Sequence, residues 1–428
     1  MSRYLLLALL ATCCPLLAHA DPRTDVEAIA ALIESTYYDP ARAKSIADDL
    51  RKAATKGNFD RYREPGDLAV ELTRRLGSLD GHFDVRWNAT DPQRLTSNPG
   101  SALPESRSNY GFARVERLPG NVAYINLTYA AHIVFADKDS ASRHAADAAL
   151  ALCQDADAVI IDLRRNGGGS PTMVGYLVSA FVESGANVYN AFHSRQGIAS
   201  ERPQQTYAKP MLSVPLYVLT SGRTGSAAES IAFTLQSAGR AIVVGERSGG
   251  AANPGGRFRT EQGYAVFIST GSPRNPVNGR NWEGDGVKPD VSVTSELAVR
   301  RAHELALEKV LSGSIQGASQ TDAQWTLDAM RAEAQPRAIS ASGIDGEFGP
   351  YRLETIANAI TVTRGRWPAM KLLLLSEDLY FFEHDPSRRV SMERKNGQVA
   401  AIRIMSPDGS EQRLSRTEAD RAVDSSLR

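Results

Sequence analysis

Three short runs restrict this chain more than any other feature. Ala158-Val-Ile-Ile-Asp162, Pro215-Leu-Tyr-Val-Leu-Thr220 and Ala241-Ile-Val-Val-Gly245 are apolar at almost every position. A strand with one wet face alternates apolar and polar residues, so unbroken runs of this length predict strands buried on both faces. Segments 172–182 and 226–237 between them carry helical patterns. A strand over 121–127 and a helix over 137–153 precede them, and an amphipathic helix over 295–311 follows. Strands that alternate with helices need crossover connections, which predicts an α/β core with a mainly parallel sheet.

The flanks read differently. Val26, Ile29, Leu32, Ile33 and Tyr37 fall at helical spacing, as do Ala43, Ile46 and Leu50, and Leu68, Leu72 and Leu76. They predict a helical N-terminal unit over 21–100, ended by the turn-rich Asn98-Pro-Gly-Ser101. The core spans 101–312. A flexible linker and a helix occupy 313–339. Alternation in 360–363 and 399–404, with Asn396-Gly397 and Asp408-Gly409 as hairpin signals, predicts a small antiparallel β domain over 340–428. Residues 1–20 combine Arg3, an apolar run and Ala18-His-Ala20, the pattern of a secretory signal peptide, so the chain is expected to be exported, periplasmic or secreted. No later stretch is apolar and long enough to span a bilayer. Beyond the signal only Cys153 remains, in an apolar helical setting that suits a buried small hydrophobe. The 49 basic residues balance the 49 acidic ones, so no global field exists to hold nucleic acid.

Ser226 follows a buried strand and opens a helix. The first N–H groups of a helix lack internal partners and carry partial positive charge, so a nucleophile here, with the Ala227 N–H, can stabilise an oxyanion. Ser226-x-x-Glu229 is also a good capping box, which serves stability alone. Asp162-Leu-Arg-Arg-Asn-Gly167-Gly168-Gly169 closes another buried strand. Its glycines allow close backbone approach, and it lacks the Lys of a phosphate loop and the dinucleotide-binding spacing, so an oxyanion hole involving Gly168 or Gly169 is the better reading. A serine nucleophile needs a base. His82, in Asp80-Gly-His82-Phe-Asp84, is the histidine flanked by a glycine turn and acidic neighbours. His144, His303 and His132 read as lying in or beside helices with no other chemistry nearby, and His384 belongs to the tail domain. No metal-ligand spacing is present and no cofactor is implied.

In this order the pieces resemble the C-terminal processing (tail-specific) peptidases, most closely the branch of tricorn protease and interphotoreceptor retinoid-binding protein. The resemblance covers about 25–312. It rests on Asp80-Gly-His82, Asn109-Tyr-Gly-Phe112, Asp162-Leu-Arg with Asn166-Gly-Gly-Gly169, Ser226-x-x-Glu229, Gly245-Glu246 and Glu283-Gly-Asp-Gly-Val287. It implies a ClpP/crotonase-like core and serine-type hydrolysis of peptides. The tail-specific branch carries a lysine twenty-five residues after its nucleophile; here that position is Ala251. Arg247 cannot substitute, because a guanidinium stays protonated. The tricorn-like branch implies His82 as base and Glu283 as the supporting carboxylate. Its serine before the histidine is Gly81 here. Too few residues separate His82 from the 121–127 strand to hold the PDZ domain common in the family. The expected function is acyl-enzyme hydrolysis of a peptide or protein substrate by Ser226, His82 and Glu283. A non-catalytic ligand-binding protein and a small-molecule esterase or amidase stay open, as does the oligomeric state.

Overall fold

A computed structural model describes residues 21–87, 104–337, 342–357 and 359–417. The signal-peptide expectation and the Asn98–Ser101 break lie outside these residues. The chain divides into two compact units.

The first unit contains three helices, Pro22–Thr36, Pro40–Thr55 and Pro65–Gly77. Each opens on a proline, whose missing N–H costs nothing in a first turn. Asp21 accepts the Arg23 N–H at 3.1 Å, and Asp39 accepts those of Ala41 and Arg42 at 3.0 and 3.1 Å. The expected apolar faces are buried, and their cover is a three-stranded antiparallel sheet in the order Asp84–Trp87, Tyr264–Ser269, Gly255–Arg259. Val85, Tyr264, Val266 and Ile268 complete this core. The unit therefore draws on 192–199 and 253–273 as well as the N-terminal segment. Helices alone leave an apolar face open, and chain far downstream supplies the sheet that closes it.

The second unit is built on a six-stranded sheet. Its strands are β1 (Phe112–Leu118), β2 (Val122–Leu127), β3 (Ala158–Asp162), β4 (Leu216–Thr220), β5 (Ile242–Gly245) and β6 (Val291–Ser292), in the order β6-β5-β4-β3-β2-β1. β1 pairs antiparallel with β2, and every other pairing is parallel. Both faces are covered, which explains the unbroken apolar runs. Val159, Ile161, Val218 and Val243 pack beneath the helices Ala141–Ala151, Pro171–Ser179 and Ala227–Ser237. Ala158, Ile160, Tyr217, Leu219 and Val244 pack against Ala298, Ala302, Ala306 and Leu307 of the helix Ala298–Leu311. In register, Asp162 lies beside Leu219 and Thr220 beside Gly245, so β3, β4 and β5 end at one edge. Ligand sites in parallel sheets form at the carboxyl ends of the strands.

The tail of this unit is an antiparallel β domain. Eight strands from Gly346–Phe348 to Glu411–Ser415 pair in sequence order. The chain just past the last strand returns to the first, through the Phe348–Arg416 pairing and the Thr417 N–H donated to Glu347 O at 2.8 Å. The sheet thereby closes on itself around Phe348, Leu353, Tyr380, Phe382, Val390 and Ile402. Asn396 and Gly397 both have positive φ, as a two-residue hairpin requires. The helix Ala318–Ala334 joins core to tail: the Arg389 guanidinium sits 4.6 Å over the Trp325 ring and pairs with Asp328 at 2.7 Å. No helix among the described residues is long and apolar enough to cross a membrane.

Candidate active site

Ser226 lies in the turn between β4 and the helix Ala227–Ser237. Its backbone is at φ +50°, ψ −120°, a conformation that non-glycine residues avoid. Such strain costs on the order of 1–3 kcal/mol and persists only where the surroundings impose it. Here they do. Thr224 donates its hydroxyl to Leu163 O at 2.9 Å, Ser221 donates to Arg164 O at 2.6 Å, and the Gly225 N–H donates to Asn166 O at 3.0 Å. The serine turn is thus sewn to the glycine loop after β3. Ser226 itself is exposed, while Ala227, the first helical residue, is buried.

The glycine loop approaches the serine closely. A Cβ on Gly168 would lie 2.8 Å from Ser226 Cβ and 3.3 Å from its Oγ, and one on Gly169 would lie 2.1 Å from Ala130 O. Both residues have positive φ, at +128° and +140°. No other residue type fits here. The Gly168 N–H donates to Asn166 Oδ1 at 2.9 Å, and the missing Cβ gives clearance beside the serine. Asp162, Arg164 and Asn166 brace the loop. Arg164 pairs with Asp162 at 2.6 Å, and Tyr124 donates its hydroxyl to the same carboxylate at 2.6 Å.

Glu229 does more than cap the helix. Its fully buried carboxylate accepts four hydrogen bonds. Oε2 takes the Ser226 and Ala251 N–H groups, each at 2.8 Å, and Oε1 takes the Gly250 N–H at 2.6 Å and the Ser248 hydroxyl at 2.5 Å. Ser248 Oγ in turn accepts the Val287 N–H at 2.6 Å. One carboxylate therefore ties the serine turn to loop 248–251 and, through Ser248, to loop 283–287. Ala251, the position of the tail-specific lysine, shares Oε2 with Ser226. Glu283 is half-buried and accepts the Ala252 N–H at 2.8 Å. The local spacing shows only the cap in Glu229 and gives no sign of Ser248. A buried acid facing a Ser-Gly-Gly loop was the available signal.

His82 belongs to the first unit, where its ring nitrogen Nδ1 lies 3.1 Å from Asp80 Oδ1. Among the other histidines, His303 is buried with Nε2 2.9 Å from Pro119 O, and burial lowers its pKa, which suits a structural residue. His132 was expected to have no chemistry nearby. Its Nδ1 instead lies 2.8 Å from the hydroxyl of Ser170, the residue after Gly169. Bridging of Ala130 to Gly169 brings the two segments together, a pairing invisible in the local pattern.

An exposed, strained serine at a helix start, beside a glycine loop at the carboxyl edge of a parallel sheet, suits a nucleophile. Comparison narrows the class: residues 121–293 match the model of peptidase family S41. The chain is 29% identical over 143 residues to a carboxyl-terminal-processing protease of Picosynechococcus, covering 33% of each chain. It is 25% identical over 336 residues to a carboxy-terminal-processing protease of Bartonella bacilliformis, covering 67% of this chain and 73% of that one. A solved structure of a candidate peptidase from Parabacteroides merdae superposes with TM-score 0.50 at 20% identity, covering 69% of this chain and all of that one. The chain spans about a third of the length of the first of these relatives. Residues 121–293 are thus similar to the S41 peptidases.

Proposed function

We propose that the protein is an exported serine peptidase with Ser226 as nucleophile, His82 as general base and Glu283 as a supporting carboxylate. The observation that carries this reading is the Ser226 turn: strained, exposed, and lodged against Gly168 with the helix N-terminus behind it. In the reaction Ser226 Oγ attacks the scissile carbonyl carbon while His82 takes its proton. The carbonyl oxygen becomes an oxyanion held by backbone N–H groups, for which Ala227 and Gly169 are the assigned donors. Collapse expels the amine, which receives the proton from His82, and water then hydrolyses the acyl-enzyme by the same steps. Each oxyanion donor contributes roughly 10²–10³ in turnover.

Ala251 at the lysine position and the Asp80-Gly-His82 segment favour the tricorn-like scheme over a Ser–Lys dyad, and the all-parallel run from β2 to β6 suits a ClpP/crotonase-like core. Arg3, the apolar run and Ala18-His-Ala20 support export. A screen of peptide and ester libraries with the native enzyme, Ser226→Ala, His82→Ala and His132→Ala tests the assignment. Peptide cleavage lost in the first two variants and retained in the third is expected. Ester hydrolysis without peptide cleavage would overturn the peptidase reading, and loss in His132→Ala alone would move the base to His132.

A further inference from the structure

The first unit holds a second carboxylate that the family scheme does not use. The Asp80 side chain is 2% exposed, and donors surround it. Oδ1 accepts the His82 backbone N–H at 2.9 Å and faces His82 Nδ1 at 3.1 Å. Oδ2 accepts the Tyr37 hydroxyl at 3.0 Å, from the residue that caps the first helix, and the Ser269 hydroxyl at 2.9 Å, from the strand Tyr264–Ser269. The Phe267 ring lies nearly parallel to the imidazole, with centroids 6.1 Å apart and 24° between planes.

We propose that Asp80 is the positioning residue of His82: it fixes the ring's orientation and its Nδ1–H tautomer, so that Nε2 carries the lone pair that takes the Ser226 proton. This rests on the reading of His82 as the base. The chemistry follows from the contacts. A carboxylate that accepts from three O–H and N–H donors has no use for a proton of its own, so the hydrogen between Oδ1 and Nδ1 belongs to the imidazole. Burial alone pushes the Asp80 carboxyl up, but hydrogen bonds from the His82 side chain and backbone and from Ser269 outweigh it and bring the pKa down to about 2. Asp80 is therefore an anion throughout the neutral range. A single turn, 80–82, delivers base and orienting acid together. The hydroxyl relay missing at Gly81 is then unnecessary, because the carboxylate reaches the ring directly. Tyr37 and Ser269 hold Asp80 from two elements that the helical N-terminal pattern could not link.

The test combines a spectroscopic and a kinetic readout. In protein carrying ¹⁵N-histidine, with the His82 signals identified by their loss in His82→Ala, native His82 should show a protonated Nδ1 and an unprotonated Nε2 when neutral. Asp80→Asn should shift that population toward the Nε2–H form. It should also slow fluorophosphonate labelling by about 10²–10⁴, the range for a wrong-tautomer triad. Ser269→Ala, which removes one donor from Oδ2 and leaves the ring untouched, should change labelling by less than about tenfold. An Nε2–H tautomer in the native protein overturns the proposal, and this readout does not depend on how Asp80→Asn folds. If His82→Ala labels at the native rate while the Nδ1–H signal is present, the base assignment fails and the Asp80–His82 pairing stands. If His82→Ala is inert while native His82 is Nε2–H, the pairing fails and the base assignment stands.

Discussion

Replacing Glu229 by Gln probes the strained serine turn without touching the serine. The native carboxylate accepts four donors, two at each oxygen. An amide has one accepting oxygen and a donating NH₂. If the NH₂ replaces Oε2, it faces two backbone N–H groups, those of Ser226 and Ala251. If it replaces Oε1, the Ser248 hydroxyl can turn to accept, but the Gly250 N–H is left facing a donor. The second arrangement is the cheaper one. It orphans one buried N–H at about 1–3 kcal/mol and weakens the remaining bonds from charge-assisted to neutral strength, about 1 kcal/mol each. Relief from burying an ion offsets part of this, so the expected destabilisation is about 2–5 kcal/mol, a large share of a typical ~5–15 kcal/mol total. Trp282, 2% exposed and adjacent to Glu283, reports on the loop that Glu229 anchors. Urea unfolding followed by tryptophan fluorescence should show a lower midpoint, and fluorophosphonate labelling of the folded variant should slow at least about tenfold. An unfolding free energy within about 0.5 kcal/mol of native, with native labelling, would refute the claim that this carboxylate holds the turn.

Other expectations are independent of that one. Gly168→Ala should cut labelling sharply, because its Cβ would lie 2.8 Å from Ser226 Cβ, and Gly169→Ala, driven into Ala130 O at 2.1 Å, should lower both labelling and the melting temperature. Ala251→Lys in a His82→Ala background should not restore labelling; recovery to near-native rates would argue for a latent Ser–Lys site. Glu201 is fully buried; burial lifts its carboxyl from 4.5 to about 7 against the Ser230 and Asn190 hydrogen bonds. A raised folded-state pKa stabilises below the unfolded value and loses that stability as pH rises through about 7. About 3 kcal/mol should therefore disappear between pH 4.5 and 8, and Glu201→Gln should flatten that slope in urea titrations. Cys153 is buried and its thiol is pushed up to about 11, so thiol reagents at pH 8 should leave the folded protein unmodified. Rapid modification would contradict that burial.

Features carried by local pattern were legible in the sequence. The apolar runs of β3, β4 and β5 declared strands covered on both faces, the Asn396-Gly397 hairpin declared its turn, and Ser226 declared a helix start. Features made by distant chain were not. The sheet that covers the N-terminal helices comes from 253–273, and nothing in the periodicity of 21–76 points there. Asn166 sits in the same loop as Gly168, yet its capture of the Gly168 N–H depends on side-chain direction, which spacing does not encode. Glu229 looked like half of a capping box because the other donors to its carboxylate lie about twenty residues downstream. Asp80 was visible beside His82, but its role rests on Tyr37 and Ser269, each on a separate element.

The central claim is that the strained serine of the 221–226 turn is a nucleophile. Incubation of the folded protein with a fluorophosphonate, followed by intact-mass measurement and peptide mapping, tests it directly. One adduct per chain is expected, on Ser226, absent from Ser226→Ala and from His82→Ala. An unlabelled native protein, or an adduct on any other serine, would contradict it.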